Sequence, residues 1–176
     1  IDRDNISYLQ KIFDGPAEYE FVQDDILSSN FAFLDSNDHR IVGNLPYNIS
    51  TQIILKLINY FNQIKDMHFL IQREVAEKIT GSPGSKDWGK LGIKLSAFFQ
   101  TEILFDVPPE AFDIKPKVTS SFIRMSPLTK SLVTDDELKN FFEIVDLSFM
   151  SRRKNIKNNL KSMKLDWESL QIDNQV

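Results

Sequence analysis

Between Arg40 and Met125 the sequence alternates. Short apolar runs with strand character are separated by segments whose apolar residues recur at helical spacing. "RIVGN" (40–44) leads into the apolar helix 51–61. "DMHFLIQ" (66–72) leads into "REVAEKI" (73–79). "KLGIKLSAFF" (90–99) is helical, and "TEILFDV" (101–107) and "SSFIRM" (120–125) have strand patterns. Strands separated by helices cannot be closed by tight hairpins. The alternation therefore predicts an α/β fold, a mostly parallel sheet covered on both faces. The last two runs are joined by a long loop without a helix, which predicts an antiparallel edge. Upstream, "DRDNISYLQKIF" has helical spacing and "YEFVQ" (19–23) reads as a strand stopped by Asp24 and Asp25.

After Pro127 no strand pattern returns. Thr134 and Glu137 form a capping-box pair. Leu138, Phe141, Phe142, Val145 and Phe149 follow at helical spacing, and a second helix is expected over 152–164. Two domains are expected, an α/β domain over 1–127 and a small helical domain over 134–176.

Composition narrows the chemistry. With no cysteine and only His39 and His68, a thiolate or histidine metal cluster is disfavoured, and no metal is expected. The absence of cysteine also fits a reducing compartment. No apolar run reaches the roughly 18 residues that span a membrane. The net charge of −4 excludes a uniformly basic surface, yet charge is polarised. "SRRKNIKNNLKSMK" (151–164) holds Arg152, Arg153, Lys154, Lys157, Lys161 and Lys164 and no acid. As one helix it places Lys154, Lys157, Lys161 and Lys164 on one face and Ile156, Leu160 and Met163 on another. A solvated face is the plain reading. A one-sign face without acidic i,i+4 partners favours a polyanion.

"GNLPYNIS" (43–50) is the sharpest local signal. Asn44 tolerates turn geometry and Pro46 fixes φ, so a strand-to-helix corner explains it structurally. The functional reading uses the same atoms: the Asn44 carboxamide and the Leu45 carbonyl can both accept from one NH2 group, and Tyr47 offers a face for a base. Asp24 and Asp25 read either as a helix cap or as acceptors for a ligand amine. "VPPEAFDIKPKVTSSF" (107–122) is long for a connection and stiffened by Pro108, Pro109 and Pro116. It can hold Phe112 over a pocket, or Phe112 folds into the core.

Taken together, "QDD" (23–25), "GNLPYNIST" (43–51), "MHFLIQREV" (67–75), "GSKDWGKLGIK" (84–94), "VPPEAFDIKPKVTSS" (107–121) and "FMSRRKNIKNNL" (149–160) give a chain that resembles the KsgA-type small-subunit ribosomal RNA adenine N6,N6-dimethyltransferases. The resemblance implies a Rossmann-like class I methyltransferase domain with a helical RNA-binding domain. It implies S-adenosylmethionine as donor and dimethylation of two adjacent adenosines in a hairpin near the 3′ end of small-subunit rRNA. The expected partner is that rRNA or the pre-30S particle, met by a cytoplasmic monomer without membrane contact. Asn44, Leu45, Pro46 and Tyr47 would hold the target amine, with Phe112 and Tyr47 enclosing the base. Asp24, Asp25 and Asn44 would contact the donor. Lys86, Lys90, Arg152, Arg153, Lys154, Lys157, Lys161 and Lys164 would meet RNA phosphates.

The family's glycine-rich donor loop has no counterpart among Gly15, Gly43, Gly81, Gly84, Gly89 and Gly92. The expectation is that roughly the first quarter of the enzyme, its first strands included, and a short C-terminal piece precede and follow these residues, and that the 176-residue polypeptide alone is inactive. Two rival readings remain. One is a large-subunit adenine methyltransferase of the antibiotic-resistance type. The other is a non-catalytic RNA-binding or assembly factor on the same scaffold.

Overall fold

The computed structural model describes residues 3–13, 19–31, 33–35, 38–151, 154–163 and 165–170. The chain groups into two compact units, Ile1–Phe33 and Leu34–Val176. The first contains α1 (Arg3–Ile12), as its spacing predicts. The strand expected at 19–23 does not form. Tyr19 and Val22 are exposed, and the Phe13, Tyr19 and Phe21 rings contact one another at centroid distances of 5.0 to 6.4 Å. An alternating run becomes a strand only when a neighbouring edge takes its backbone hydrogen bonds. Here the aromatic residues cluster locally.

The second unit is built on a four-stranded sheet of order β1-β2-β4-β3. β1 (His39–Asn44) and β2 (Ile64–Gln72) are parallel, joined through α2 (Ser50–Leu57) and a 3-10 segment, Ile58–Gln63. α3 (Arg73–Thr80) and α4 (Lys90–Ser96) follow. β3 (Phe99–Val107) and β4 (Ser120–Pro127) supply the antiparallel part: β4 lies between β2 and β3 and runs against both. The helical crossover imposes the parallel pair, and the helix-free β3–β4 loop permits the antiparallel one.

α4 is shorter than its apolar pattern suggests. The sequence carries it to Phe99, but it stops at Ser96 and Phe99 opens β3. The carbonyls of Ala97 and Phe98 accept from Leu132 N–H at 2.9 Å and Leu128 N–H at 2.8 Å, so they are turned away from a helical course. Gly92 lets α4 press on α3, since a Cβ there would lie 2.9 Å from the Lys78 carbonyl oxygen.

On one face of the sheet Met67, Phe69 and Ile71 of β2 alternate with their neighbours and align with Ile123 and Met125 of β4. All five are fully buried, as are Ile53, Ile54 and Leu95 from the helices. Each such side chain contributes about 1.5–3 kcal/mol by leaving water. The other face is more polar. It carries a two-pronged Arg40–Asp66 pair at 2.6 and 2.7 Å and the stacked rings of His68, Phe122 and Phe105.

α5 (Leu138–Ser148) docks on α4 through a buried lysine. Lys94 Nζ lies 2.8 Å from Asp146 Oδ2 and 4.5 Å from the Phe142 ring centroid. Partial burial pushes the Asp146 carboxyl up, but the hydrogen bond and charge of Lys94, joined by Lys90, outweigh it and hold the carboxyl below its ordinary value. Asp146→Asn should leave Lys94 buried against a neutral amide and lower stability by about 1–3 kcal/mol, toward the low end because Asp146 is half exposed. A depressed carboxyl stabilises the fold fully above its unfolded value near pH ~3.9, and that contribution is lost as pH falls through the folded value. Urea melts should therefore show a constant gap between wild type and variant down to about pH 4, closing below it.

The basic helix differs most from expectation. Among the described residues of the region expected to form one helix over 152–164, only Ile156–Asn159 is helical (α6), before a short α7 (Trp167–Leu170). Arg152, Arg153 and Lys164 lie outside the described residues. Asn155 is the cap: its side chain accepts from Asn158 N–H at 2.9 Å, so the helix starts after it. Asn159 is buried and turns its carboxamide back, donating to the carbonyls of Ser148, Ser151 and Lys154 at 2.7, 3.1 and 3.4 Å. Asparagine side chains that bond local backbone in this way compete with helix propagation. Lys154, Lys157 and Lys161 are exposed on a bend, a helical turn and the turn after it, not along one helix face.

Candidate functional site

β1 delivers Asn44 to the carboxyl edge of the sheet, where open α/β folds bind ligands. Leu45 leaves the strand but keeps its register: its N–H donates to the Leu70 carbonyl at 3.2 Å and its side chain is buried. Gly43 makes room, since a Cβ there would come within 3.0 Å of Leu45 Cδ2. Pro46 then turns the chain, and its carbonyl accepts from Ile49 N–H at 3.1 Å. The Ser50 hydroxyl donates to the Tyr47 carbonyl at 3.3 Å, closing the turn into α2. The carbonyls of Pro46 and Tyr47 are thus engaged inside the corner. Among the described residues the Asn44 carboxamide and the Leu45 carbonyl have no hydrogen-bond partner, and Asn44 is exposed.

Asn44, Leu45, Pro46 and Tyr47 line one cavity of about 380 Å³ together with Phe112, Ile114 and Pro116. Phe112 follows a 3-10 turn, Pro109–Ala111, and its N–H donates to the Pro109 carbonyl at 3.2 Å. It is half-buried, so the loop holds it at the cavity wall and not in the core. Residues far apart in sequence and singled out by residue type are brought to one place. Sequence reasoning missed Ile114, an exposed isoleucine on the same loop, and Ser120, whose hydroxyl lies 2.6 Å from the Tyr47 phenol. Both depend on loop course and strand pairing, which no local pattern announces.

Asp24 and Asp25 belong to the first unit. Asp24 Oδ1 accepts from Asp25 N–H at 2.8 Å and Asp25 Oδ1 from Leu27 N–H at 2.9 Å. They build a turn over 25–28, not the end of a strand. Both are exposed and each has a second carboxylate oxygen outside these bonds.

Lys86 and Lys90 line a separate cavity of about 270 Å³ with Lys78, Asp87, Gly89 and Leu91. Lys86 is exposed. Lys90 Nζ is 3.6 Å from Asp146 and Lys78 Nζ is 2.6 Å from Glu74, so two of these three cations are already partnered. Among the described residues no group of His, Cys, Asp or Glu side chains comes together in a way that would hold a metal ion.

A sequence profile described as "Ribosomal RNA adenine dimethylase" matches residues 1–175. The chain belongs to the ribosomal RNA adenine dimethylase family. Among family members, it is 42% identical over 168 residues to the ribosomal RNA small subunit methyltransferase A of Neisseria gonorrhoeae (strain NCCP11945), covering 94% of this chain and 63% of that protein. It is 38% identical to the protein of the same description from Saccharophagus degradans, over 98% of this chain and 66% of the relative. The chain thus spans a little under two thirds of the length of these relatives. In fold it is similar to a dimethyladenosine transferase from Plasmodium falciparum, with a TM-score of 0.79 at 24% identity over 92% of this chain and 57% of that one. It is also similar to the 23S rRNA methyltransferase ErmE, with a TM-score of 0.66 at 26% identity over 93% and 64%. The fold is that of class I methyltransferases.

Proposed function

We propose that this chain is part of an S-adenosylmethionine-dependent enzyme that dimethylates N6 of two adjacent adenosines in a hairpin near the 3′ end of small-subunit rRNA, in a cytoplasmic setting. One observation carries the reading. A carboxamide and a backbone carbonyl without hydrogen-bond partners among the described residues share a cavity with two aromatic side chains, Tyr47 and Phe112. A flat base that presents an exocyclic amine satisfies all four.

The chain's residues would act by position. Adenine N6 is a weak nucleophile because its lone pair is delocalised into the ring. Acceptance of its two hydrogens by Asn44 Oδ1 and the Leu45 carbonyl draws the nitrogen toward tetrahedral geometry and frees the lone pair. Pro46 and the closed turn fix in advance the backbone that carries both acceptors, which limits reorganisation at the moment of reaction. Tyr47 and Phe112 would hold the base out of the RNA stack. The exposed carboxylates of Asp24 and Asp25 fit the amine of the donor's adenine, each with an oxygen outside the local turn. The bound donor supplies a methyl group on a sulfonium. In the transfer a new N6–C bond would replace the donor's C–S bond, the donor would depart as a neutral thioether, and N6 would release one proton to water, since a carboxamide is no base. The second transfer to each adenine would start from a mono-methylated N6, whose single remaining hydrogen would be held by one of the two acceptors and released to water in turn.

Lys86, Lys90, Arg152, Arg153, Lys154, Lys157, Lys161 and Lys164 would hold phosphates and orient the RNA without reading its sequence. We assign residues 134–176 to RNA binding. The Lys154→Gln/Lys157→Gln/Lys161→Gln variant should bind small subunits more weakly. Its log–log salt slope should flatten by about two to three units if all three contact phosphates, at roughly 0.7–0.9 per contact. An unchanged slope would place the RNA elsewhere.

The experiment that tests the proposal is methyl transfer by the full-length protein carrying this sequence to isolated, unmethylated small and large subunits. N6,N6-dimethyladenosine in small-subunit rRNA supports it. Label in the large subunit alone would favour the rival enzyme, and binding without transfer would favour the assembly factor.

A further inference from the structure

The cavity has two arms that are distant in sequence. One is the Asn44–Tyr47 turn after β1, and the other is the loop between β3 and β4 that carries Phe112. They are joined at the foot of β4, where three consecutive residues each bond a different element. The Thr119 carbonyl accepts from Arg73 N–H, at the start of α3, at 3.0 Å. Ser120 Oγ and the Tyr47 phenol are 2.6 Å apart. Ser121 Oγ donates to Asp106 Oδ1 on β3 at 2.6 Å, and Asp106 Oδ2 pairs with Arg73 Nη1 at 3.0 Å. Ser120 and Ser121 are both completely buried. Successive strand residues point to opposite faces, so the two hydroxyls serve opposite sides of β4. Ser121 ties β4 to β3 and the α3 arginine. Ser120 alone of the pair reaches the cavity, and it does so through Tyr47.

We propose that Ser120 is a positioning residue for the base site. Its hydroxyl fixes the Tyr47 phenol and so sets the plane of the Tyr47 ring and its spacing from Phe112. The inference rests on the reading of this cavity as an adenine site. A tyrosine ring without the bond pivots about χ1 and χ2 at the lip of an open cavity. With the bond, its far end is held by a strand of the core sheet. The slot is then formed before the base enters, and the cost of ordering it is met in folding and not on binding. The same contact gives the phenol a structural role, because its hydroxyl is engaged with a buried group and is not offered to the substrate. Ser120 also anchors the far end of the Phe112 loop to the turn, so both arms keep one separation.

The test uses the full-length protein carrying this sequence, with Ser120→Ala, Ser120→Thr, Tyr47→Phe and the Ser120→Ala/Tyr47→Phe double variant, assayed on unmethylated small subunits. Loss of one neutral hydrogen bond should lower kcat about three- to tenfold in Ser120→Ala and in Tyr47→Phe. RNA affinity should stay near wild type, because phosphate contacts are untouched. The double variant should be no worse than either single one, since both remove the same bond. Threonine keeps the hydroxyl and suits a strand, so Ser120→Thr should restore most of kcat. Tyr47→Phe, altered at the half-buried partner, gives the same answer should Ser120→Ala fold poorly. Wild-type kcat in Ser120→Ala, multiplying effects in the double variant, or no rescue by threonine would each overturn the assignment. Tyr47→Ala separates this from the underlying reading. If it transfers methyl groups like wild type, the adenine-site reading fails; if it is impaired while Ser120→Ala and Tyr47→Phe are not, only the positioning role fails.

Discussion

Asn44→Ala in the full-length protein carrying this sequence is expected to lower methyl transfer by roughly 10²–10³, the usual cost of removing one preorganised polar group aimed at the reacting centre. The expectation follows from where Asn44 sits. It is the last residue of β1, its backbone is held in register beside Leu70, and its side chain is exposed at the cavity without a partner among the described residues. A side chain that supports nothing in the fold can be removed at little cost in stability, so the unfolding midpoint should barely move. RNA affinity should also persist, because the lysines proposed to meet phosphates are elsewhere. The loss belongs in kcat. A variant with near wild-type turnover would remove Asn44 from the chemistry and leave the corner as a corner.

Phe112→Ala should produce the second large effect. Base–aromatic stacking contributes about 1–3 kcal/mol per base, which corresponds to a fall of about five- to 150-fold in kcat/KM. The rival outcome is structural. A core phenylalanine replaced by alanine costs about 3–5 kcal/mol of stability. Phe112 is half-buried on a loop between Pro109 and Pro116, whereas Phe69, Phe98 and Phe99 are the fully buried phenylalanines of this fold. Phe112→Ala should therefore melt close to wild type, and Phe69→Ala should not. A large drop in the melting temperature of Phe112→Ala with transfer intact on the folded fraction would show that Phe112 is a core residue.

Much of the site was legible because its chemistry is local. Asn44 to Tyr47 form one turn, and the residue types that make the corner also name the atoms a ligand would meet. Phe112 could be singled out because three prolines stiffen its loop, although its convergence with Asn44 needed the sheet. Ser120 could not be found, since its contact with Tyr47 depends on β4 inserting between β2 and β3, a pairing set by tertiary hydrogen bonds. The fold shows the same division. β2 follows from an apolar run with Met67, Phe69 and Ile71 buried, and β1 from an apolar run whose residues are half-buried or, like Val42, exposed. Residues 19–23 have a strand's pattern and form no strand. Residues 152–164 have a helix's pattern, but among those described only Ile156–Asn159 is helical, with Asn155 and Asn159 bonding the backbone around them. Periodicity reports which faces are apolar. It does not report competing side-chain bonds to the main chain.

The most direct test of the central claim is a crystal structure of the full-length protein carrying this sequence bound to a hairpin RNA containing two adjacent unmethylated adenosines. One adenine is expected between Tyr47 and Phe112, with its N6 within hydrogen-bonding distance of both Asn44 Oδ1 and the Leu45 carbonyl. An adenine bound outside this cavity, or held with N6 turned away from Asn44, would contradict that claim.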